Sequence, residues 1–128
     1  MKRKILVALV FLIIAAAATS VAFATPATIN GIEFNIPDGY TPLNESNNSN
    51  GISVYSSGEN ILMILIDDNQ SAIDDFRNNH SYVQKNISGH DGYYHVDSNN
   101  ATSFAYVENS KTVIIITSDE NILESLIK

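Results

Sequence analysis

Three histidines and an aspartate near the middle of the chain are the residues most suited to metal chemistry. If Asp91-Gly92 forms a two-residue hairpin turn, His90, His95 and Asp97 lie on one face of that hairpin. Two imidazoles and a carboxylate could then bind a divalent metal. If residues 89–92 instead form a four-residue loop, His90 leaves the ladder. The alternative is that these residues form only an exposed polar face. His90 and His95 would be diagonal neighbours about 7–8 Å apart, which is longer than the binding of one metal ion prefers. The third histidine of the chain is His80, which precedes this hairpin.

Acidic residues cluster just before a predicted helix and offer the oxygen ligands that Ca²⁺ accepts. They are Asp67, Asp68, Asp74 and Asp75, together with Asn69. The spacing differs from an EF-hand loop, because the sixth position from Asp67 is Ala72 rather than Gly and the twelfth is Asn78 rather than Glu. Acids at a helix N-terminus also interact favourably with the helix dipole, so the cluster is equally typical of a strand-to-helix loop.

Other catalytic patterns are missing from the sequence. No serine lies in Gly-x-Ser-x-Gly, no phosphate-binding glycine loop occurs, and the chain has no cysteine. We therefore predict a protein that is not an enzyme and binds no cofactor. Five tyrosines could form an aromatic surface for sugars or peptides, although such residues commonly cover a sheet edge with their hydroxyls in water. They are Tyr40, Tyr55, Tyr82, Tyr93 and Tyr94.

The N-terminal segment has the pattern of a secretory signal peptide. Three cations at positions 2–4 precede an apolar run from Ile5 to Ala18, and Ala22-Phe23-Ala24 matches a small-residue cleavage site. We predict that residues 1–24 are a signal peptide cleaved before Thr25. The alternative is an uncleaved membrane anchor, because twenty residues at about 1.5 Å each span a hydrocarbon core of about 30 Å. Both interpretations place residues 25–128 outside the cytoplasm, as a secreted or surface-tethered domain.

The predicted exported part is strongly acidic. Four cations accompany fourteen carboxylates, for a net charge of −10. This charge repels polyphosphates, so nucleic acid is not an expected partner, and contact with the membrane is expected only through residues 5–24 if they are uncleaved. Without disulfides, about 104 residues must be stabilised by their apolar core, by a calcium-like ion or by glycans.

Asparagine is abundant, and six asparagines begin Asn-x-Ser/Thr sequons. Random placement of Ser and Thr explains part of this number. The sequons are therefore compatible either with an Asn-rich surface or with a glycosylated surface protein. The candidate glycosylation sites are Asn44, Asn47, Asn69, Asn79, Asn86 and Asn100.

Short apolar segments separated by turn residues predict an antiparallel sheet. Residues 32–36 alternate, residues 44–50 form an Asn/Ser-rich loop that we expect to be mobile, and residues 52–55 begin a second strand. The six apolar residues 61–66 predict a central strand covered on both faces. Ser71 is a candidate N-cap for a short helix ending near residue 79.

The C-terminal part reads as two hairpins and a helix. The first hairpin is expected to turn near residues 89–92, and the second at Asn109-Ser110, with Glu108 opposite Lys111. Both faces of the second hairpin are apolar, which predicts strands in the middle of the sheet with cover on each side. Ser118 is expected to cap a final helix. The predicted fold is a single α+β domain with an antiparallel sheet of about five to seven strands, one internal helix and one C-terminal helix.

Two stretches carry a family resemblance. Residues 29–40, Ile-Asn-Gly-Ile-Glu-Phe-Asn-Ile-Pro-Asp-Gly-Tyr, precede a Gly-rich hairpin, and residues 111–120, Lys-Thr-Val-Ile-Ile-Ile-Thr-Ser-Asp-Glu, lie near the end of the chain. Together they resemble small exported proteins of unknown function from methanogenic archaea, over nearly all of residues 27–128. The resemblance implies an extracytoplasmic α+β domain on an archaeal surface and transfers no site residue.

These observations favour a non-enzymatic structural or interaction module, either exported or anchored at the cell surface. The expected partners are envelope proteins or polysaccharides. The alternative is a small extracytoplasmic metal-dependent binder or enzyme that uses the hairpin histidines. Convergence of His90, His95 and Asp97 on a common point would favour that alternative.

Overall fold

Alternation of apolar and polar residues builds most of this chain into strands. The computed structural model describes residues 24–43 and 51–128. The predicted signal peptide, apart from Ala24, and the predicted mobile loop 44–50 lie outside these residues. The strands are β1 (Thr25–Ile29), β2 (Ile32–Ile36), β3 (Thr41–Pro42), β4 (Ile52–Ser57), β5 (Asn60–Asp67), β6 (Val83–Ile87), β7 (His90–Val96), β8 (Thr102–Glu108) and β9 (Lys111–Thr117). Two short helices are α1 (Asp74–Arg77) and α2 (Leu123–Leu126).

Seven of these strands form one antiparallel sheet in the order β3-β4-β5-β9-β8-β7-β6, and β1 and β2 form a separate hairpin. The fold is therefore α+β with one internal and one C-terminal helix, as predicted. Most neighbours in the sheet are also neighbours along the chain. The exception is the β5–β9 pair, which runs from Leu62 opposite Thr117 to Asp67 opposite Thr112.

Two-residue turns close four of the hairpins in the described residues. The β8–β9 turn is Asn109-Ser110 with Glu108 opposite Lys111, which confirms the predicted register. Both turn residues have positive φ, 53° and 63°, as a type I′ turn requires. The β1–β2 turn at Asn30-Gly31 has the same form. β1 is a strand that the sequence pattern does not predict.

One face of the large sheet carries the hydrophobic core. The β1–β2 hairpin and α2 pack on this face, and a backbone bridge joins Phe34 to Ile127. Phe34, Phe104 and Leu126 have no exposed surface. Burial of each such side chain contributes about 1.5–3 kcal/mol to folding, so an apolar core of this extent can replace the missing disulfides.

Both helices begin differently from the prediction. The side chain of Asn69, rather than that of Ser71, caps the 3₁₀ turn Gln70–Ile73 that leads into α1. Asp119, rather than Ser118, caps the 3₁₀ turn Glu120–Ile122 before α2. Ser118 instead accepts a hydrogen bond from the backbone N–H of Ile61 at 2.9 Å. The hydroxyl of Ser118 is therefore used to hold the chain end against β5.

Neither helix of the described residues could reach across a bilayer, since each α-helical run is four residues long.

Candidate interaction surface

The hairpin of β6 and β7 turns at Ser88-Gly89, so the predicted turn at residues 89–92 is wrong. Ile87 pairs with His90, and this register points Ile87, 4% exposed, into the core. It also places Gly92 against Phe104, where a Cβ atom would lie 2.7 Å from the Phe104 ring. Burial of Ile87 and close packing at Gly92 therefore override the local turn preference of Asp91-Gly92.

This register separates the candidate metal ligands. His90 and His95 are five positions apart in β7, so their side chains lie on opposite faces of the sheet. His90 Nε2 lies 2.9 Å from the carbonyl oxygen of Lys128, and His95 Nδ1 lies 3.0 Å from that of Ser81. Asp97 accepts hydrogen bonds from two backbone N–H groups of the following turn. His80 is exposed on the segment after α1.

The histidines thus hold chain segments together. The His90 ring packs on Tyr106 with centroids 4.8 Å apart and contacts the C-terminus, while His95 packs on Tyr82 at 5.1 Å. No group of three or more His, Cys, Asp or Glu residues suited to a metal ion occurs in the described part of the chain. The structure therefore does not provide the convergence that the metal hypothesis required.

The acidic cluster organises the entry into the internal helix. Asp67 accepts a hydrogen bond from the N–H of Asn69 at 2.8 Å, and Asn69 accepts bonds from the N–H and hydroxyl of Ser71. Asp74 pairs with Arg77 one turn later. These carboxylates turn the chain and balance the helix dipole.

Arg77 also borders a groove of about 450 Å³ next to β6 and β7. Its Nε donates to the Tyr93 hydroxyl at 3.1 Å. Hydrogen bonds from Arg77 and Gln84 lower the pKa of Tyr93. The groove is open to solvent, and two of its charged residues, Arg77 and Asp91, pair with Asp74 and Asn86.

The tyrosines do not share one surface. Tyr55 is 7% exposed in the core, and Tyr94 donates to Glu120 at 2.5 Å near the C-terminal helix. Tyr93 lies on the opposite sheet face from Tyr94 because the two are consecutive in β7. Tyr40 packs against the core, and Tyr82 stacks between Phe76 and His95. These five tyrosines therefore do not form the single aromatic surface that the sequence allowed.

The most unusual surface is the uncovered part of the second sheet face. The 3₁₀ turn Gln70–Ile73 packs over β8 and β9 on this face, where Ala105 and Thr112 are completely buried. The hydroxyl of Thr112 donates to the backbone carbonyl oxygen of Asn69 at 2.9 Å. The turn does not extend over β4 and β5. We call the uncovered part the open face; it consists of Ile52, Ile61, Met63, Leu65, Ile114 and Ile116.

The six residues of the open face are adjacent, and Val54 and Ser56 of β4 lie on the same sheet side opposite Met63 and Ile61. Leu65 pairs with both Ile52 and Ile114, and Met63 pairs with Ile116, so the side chains form adjacent rows across three strands. Ile52 and Ile61 are 44% and 39% exposed, and the other four are half-buried. A groove of about 410 Å³ lies at one end, bordered by Asp67 and Asp68. In the part of the chain that the structure describes, no helix or strand supplies the predicted second-face cover here.

Four of the six sequons lie within the described residues, and all four asparagines are exposed: Asn69, Asn79, Asn86 and Asn100. The side-chain oxygens of Asn69 and Asn79 accept hydrogen bonds from the backbone two residues ahead. Asn86 instead donates to Asp91 at 3.0 Å within the β6–β7 hairpin. Asn44 and Asn47 lie outside the described residues.

The chain matches no protein-family model, no curated protein and no solved structure. The open face is therefore the feature of this chain that bears most directly on its function.

Proposed function

We propose that this chain is an exported, non-enzymatic interaction module and that the open face is its binding surface. The observation that carries the proposal is a surface of six adjacent apolar side chains, two exposed and four half-buried, over which the described residues place no helix or strand. A monomer that kept this face in water would forgo about 25 cal/mol of stabilisation for each Å² left exposed. Contiguous apolar patches of this kind mark sites where another macromolecule binds.

Export is supported by the N-terminal pattern and by the first strand. β1 begins at Thr25, the residue that cleavage after Ala24 would make the mature N-terminus. The net charge of −10 on residues 25–128 favours a soluble or surface-tethered domain and disfavours nucleic acid as a partner. The archaeal surface setting implied by the resemblance stays a prediction.

A protein partner suits the open face better than a polysaccharide. Sugar sites combine aromatic rings with hydrogen-bonding side chains, whereas the six residues of the open face are aliphatic or thioether side chains. The histidines are occupied by backbone carbonyls, which supports a binding role over catalysis.

Single-cysteine labelling in intact host cells tests this proposal, because the native chain contains no cysteine. Met63→Cys reports on the open face. Val83→Cys, on β6 and 58% exposed, is the control. A membrane-impermeant maleimide should label Val83→Cys in intact cells. It should label Met63→Cys much more slowly in cells than in purified protein diluted to nanomolar concentration.

Two outcomes would contradict the proposal. Labelling of Val83→Cys only after cell lysis would show that the domain is not exported. Equal labelling rates for Met63→Cys in cells and in dilute purified protein would show that nothing occupies the open face.

A further inference from the structure

We propose that Asn79 is a glycosylation site of the folded protein, with a sugar attached to the nitrogen of its side-chain amide. This inference rests on the export that is part of the proposed function, because N-linked sugars are added to exported chains. The site is separate from the open face. Asn79 is one of four sequon asparagines in the described residues, and the four differ in how their side chains and backbone are held.

The Asn79 sequon lies in the loop that joins α1 to β6. Residues 77–81 are all exposed. The side-chain oxygen of Asn79 accepts a hydrogen bond from the backbone N–H of Ser81 at 2.9 Å. Its side-chain nitrogen, the atom to which a sugar is joined, donates no hydrogen bond within residues 24–43 and 51–128. The acceptor atom is therefore available in the folded chain.

The base of this loop is held by contacts that leave the sequon side chains outside. The Tyr82 ring packs between Phe76 and His95, with centroid distances of 5.2 and 5.1 Å. His95 Nδ1 lies 3.0 Å from the carbonyl oxygen of Ser81. These contacts use aromatic rings and backbone groups. A sugar on the Asn79 amide nitrogen would therefore break none of them.

The sequon at Asn86 is held within the sheet. The Asn86 side chain donates to Asp91 at 3.0 Å, and the Ser88 hydroxyl donates to the carbonyl oxygen of Glu124 at 2.6 Å. Between them, Ile87 is only 4% exposed. Entry of this segment into a transferase would require Ile87 to leave the core, which lowers its availability by roughly tenfold or more.

The other two described sequons are also tied to the fold. Asn100 has a positive φ of 65°, and Thr102, the hydroxyl residue of its sequon, is 1% exposed in β8. The hydroxyl of Ser71 is already bonded to the side chain of Asn69, and the carbonyl of Asn69 accepts a hydrogen bond from β9. Asn79 is therefore the described sequon that a transferase reaches with the least loss of structure.

The reaction joins the Asn79 amide nitrogen to C1 of a sugar that is activated as a lipid-linked phosphate. The N–C1 bond forms while the bond between C1 and the phosphate oxygen breaks. The nitrogen loses one proton, and the lipid phosphate leaves with the bonding electron pair. No oxidant or reductant takes part, so the sugar donor is the single co-reactant.

Tryptic mapping of the protein purified from its host tests this site. Cleavage after Arg77 and Lys85 releases residues 78–85, in which Asn79 is the only sequon. Asn86 and Asn100 remain together on residues 86–111. We expect hexose-scale added mass on residues 78–85, with occupancy at least roughly tenfold higher than on residues 86–111.

Three variants identify the atom that carries the sugar. Asn79→Gln and Ser81→Ala should each remove the added mass from residues 78–85. Ser81→Ala keeps the backbone contacts of Ser81 with Asn79 and His95. Ser81→Thr preserves the sequon and is the matched control, so it should retain the mass. A circular dichroism melt checks that each variant is folded. Retention of the mass in Asn79→Gln would overturn the inference, because the sugar would then be on another residue.

Two further outcomes would also overturn it. The first is an unmodified peptide 78–85 from cells in which Val83→Cys is labelled without lysis; the export would then stand while the glycosylation site failed. The second is equal or higher occupancy on residues 86–111, because exposure in the folded chain would then not select the site. Labelling of Val83→Cys only after lysis would instead contradict the proposed function itself.

Discussion

Several polar side chains, among them the candidate metal ligand His90, form hydrogen bonds between segments that are distant in sequence. His90 joins β7 to the C-terminal carbonyl of Lys128, and Thr112 joins β9 to residues 69 and 70. Lys128 also contacts Glu33 of the β1–β2 hairpin at 3.0 Å. These contacts hold the covering segments on both faces of the sheet, so the chemistry of these side chains is used for assembly of the fold.

Gly92 is a residue whose missing side chain is required by packing. A Cβ atom at this position would lie 2.4 Å from the carbonyl oxygen of Ala105. Gly92→Ala should therefore lower the free energy of unfolding by about 3 kcal/mol, the upper end of overpacking effects. Urea denaturation measures the change. Gly89→Ala is the control, because its Cβ would meet open space and only the positive φ of 87° opposes it, at about 1 kcal/mol. Equal losses would show that Gly92 is not tightly packed.

Tyr106 should make the protein sensitive to alkaline pH. Burial, with a smaller effect from Glu108, raises the pKa of Tyr106 well above its usual value. The unfolded chain loses this proton near pH 10 while the folded chain retains it. Stability is therefore complete below about pH 10 and falls as pH rises further. Thermal melts between pH 8 and 12 should show this fall, and Tyr106→Phe should reduce it.

Tyr93→Phe provides the comparison for this pH effect. Hydrogen bonds from Arg77 and Gln84 lower the pKa of Tyr93, so its contribution to stability has the opposite sign and increases toward alkaline pH. Removal of the Tyr93 hydroxyl should leave the alkaline loss of stability in place. If Tyr106→Phe and Tyr93→Phe had the same pH profile, Tyr106 would not be its source.

At the scale of elements, hairpins set the fold, and the β6–β7 and β8–β9 turns each contain a serine with positive φ, Ser88 and Ser110. Ser110 has a φ of 63° in the β8–β9 turn, a conformation that glycine adopts without steric cost. Ser110→Gly should raise the free energy of unfolding by about 0.5–1 kcal/mol. Ser103→Gly, in the middle of β8, should lower it by a similar amount. Denaturant titration measures the free energy of unfolding of both variants. Opposite changes would show that glycine relieves steric strain at Ser110 and does not act in the same way at any position.

The sequence predicts those elements in which local and long-range preferences agree. At Asn109-Ser110 the turn residues and the apolar faces of both strands require the same register, and the prediction is confirmed. At Ser88-Gly89 they conflict. Asp91-Gly92 is the stronger local turn pattern, but burial of Ile87 and the contact of Gly92 with Phe104 determine the register. The contact of Gly92 is made with a neighbouring strand, β8, and the sequence around Gly92 does not show it. The wrong turn then led to the wrong faces for His90 and His95 and so to the predicted metal site.

The open face shows a second limit of prediction from sequence. Apolar residues on both sides of β5 and β9 correctly predict central strands, but they do not identify what covers each side. Within residues 24–43 and 51–128, the β1–β2 hairpin and α2 cover one side, while Gln70–Ile73 covers only the β8–β9 part of the other.

At the scale of the whole molecule, the mature protein should begin at Thr25. Intact mass spectrometry of the protein recovered from its host medium measures this directly. We expect loss of residues 1–24, and added hexose-scale masses if the exposed sequons at Asn69, Asn79, Asn86 and Asn100 are occupied. A mass beginning at Met1 in the membrane fraction would contradict cleavage and would indicate a tethered form.

The β5–β9 pairing also has a consequence for how the chain acquires its structure. β4–β5 and the β6–β9 meander consist of hairpins between sequence neighbours, which close small loops and form rapidly. Pairing of β5 with β9 joins residues 45 to 55 positions apart. It is the step with the largest loop-closure cost within the sheet. We therefore expect β5 and β9 to pair last, a step that Met63→Ala or Ile114→Ala would leave largely unchanged in folding rate if it follows the rate-limiting step.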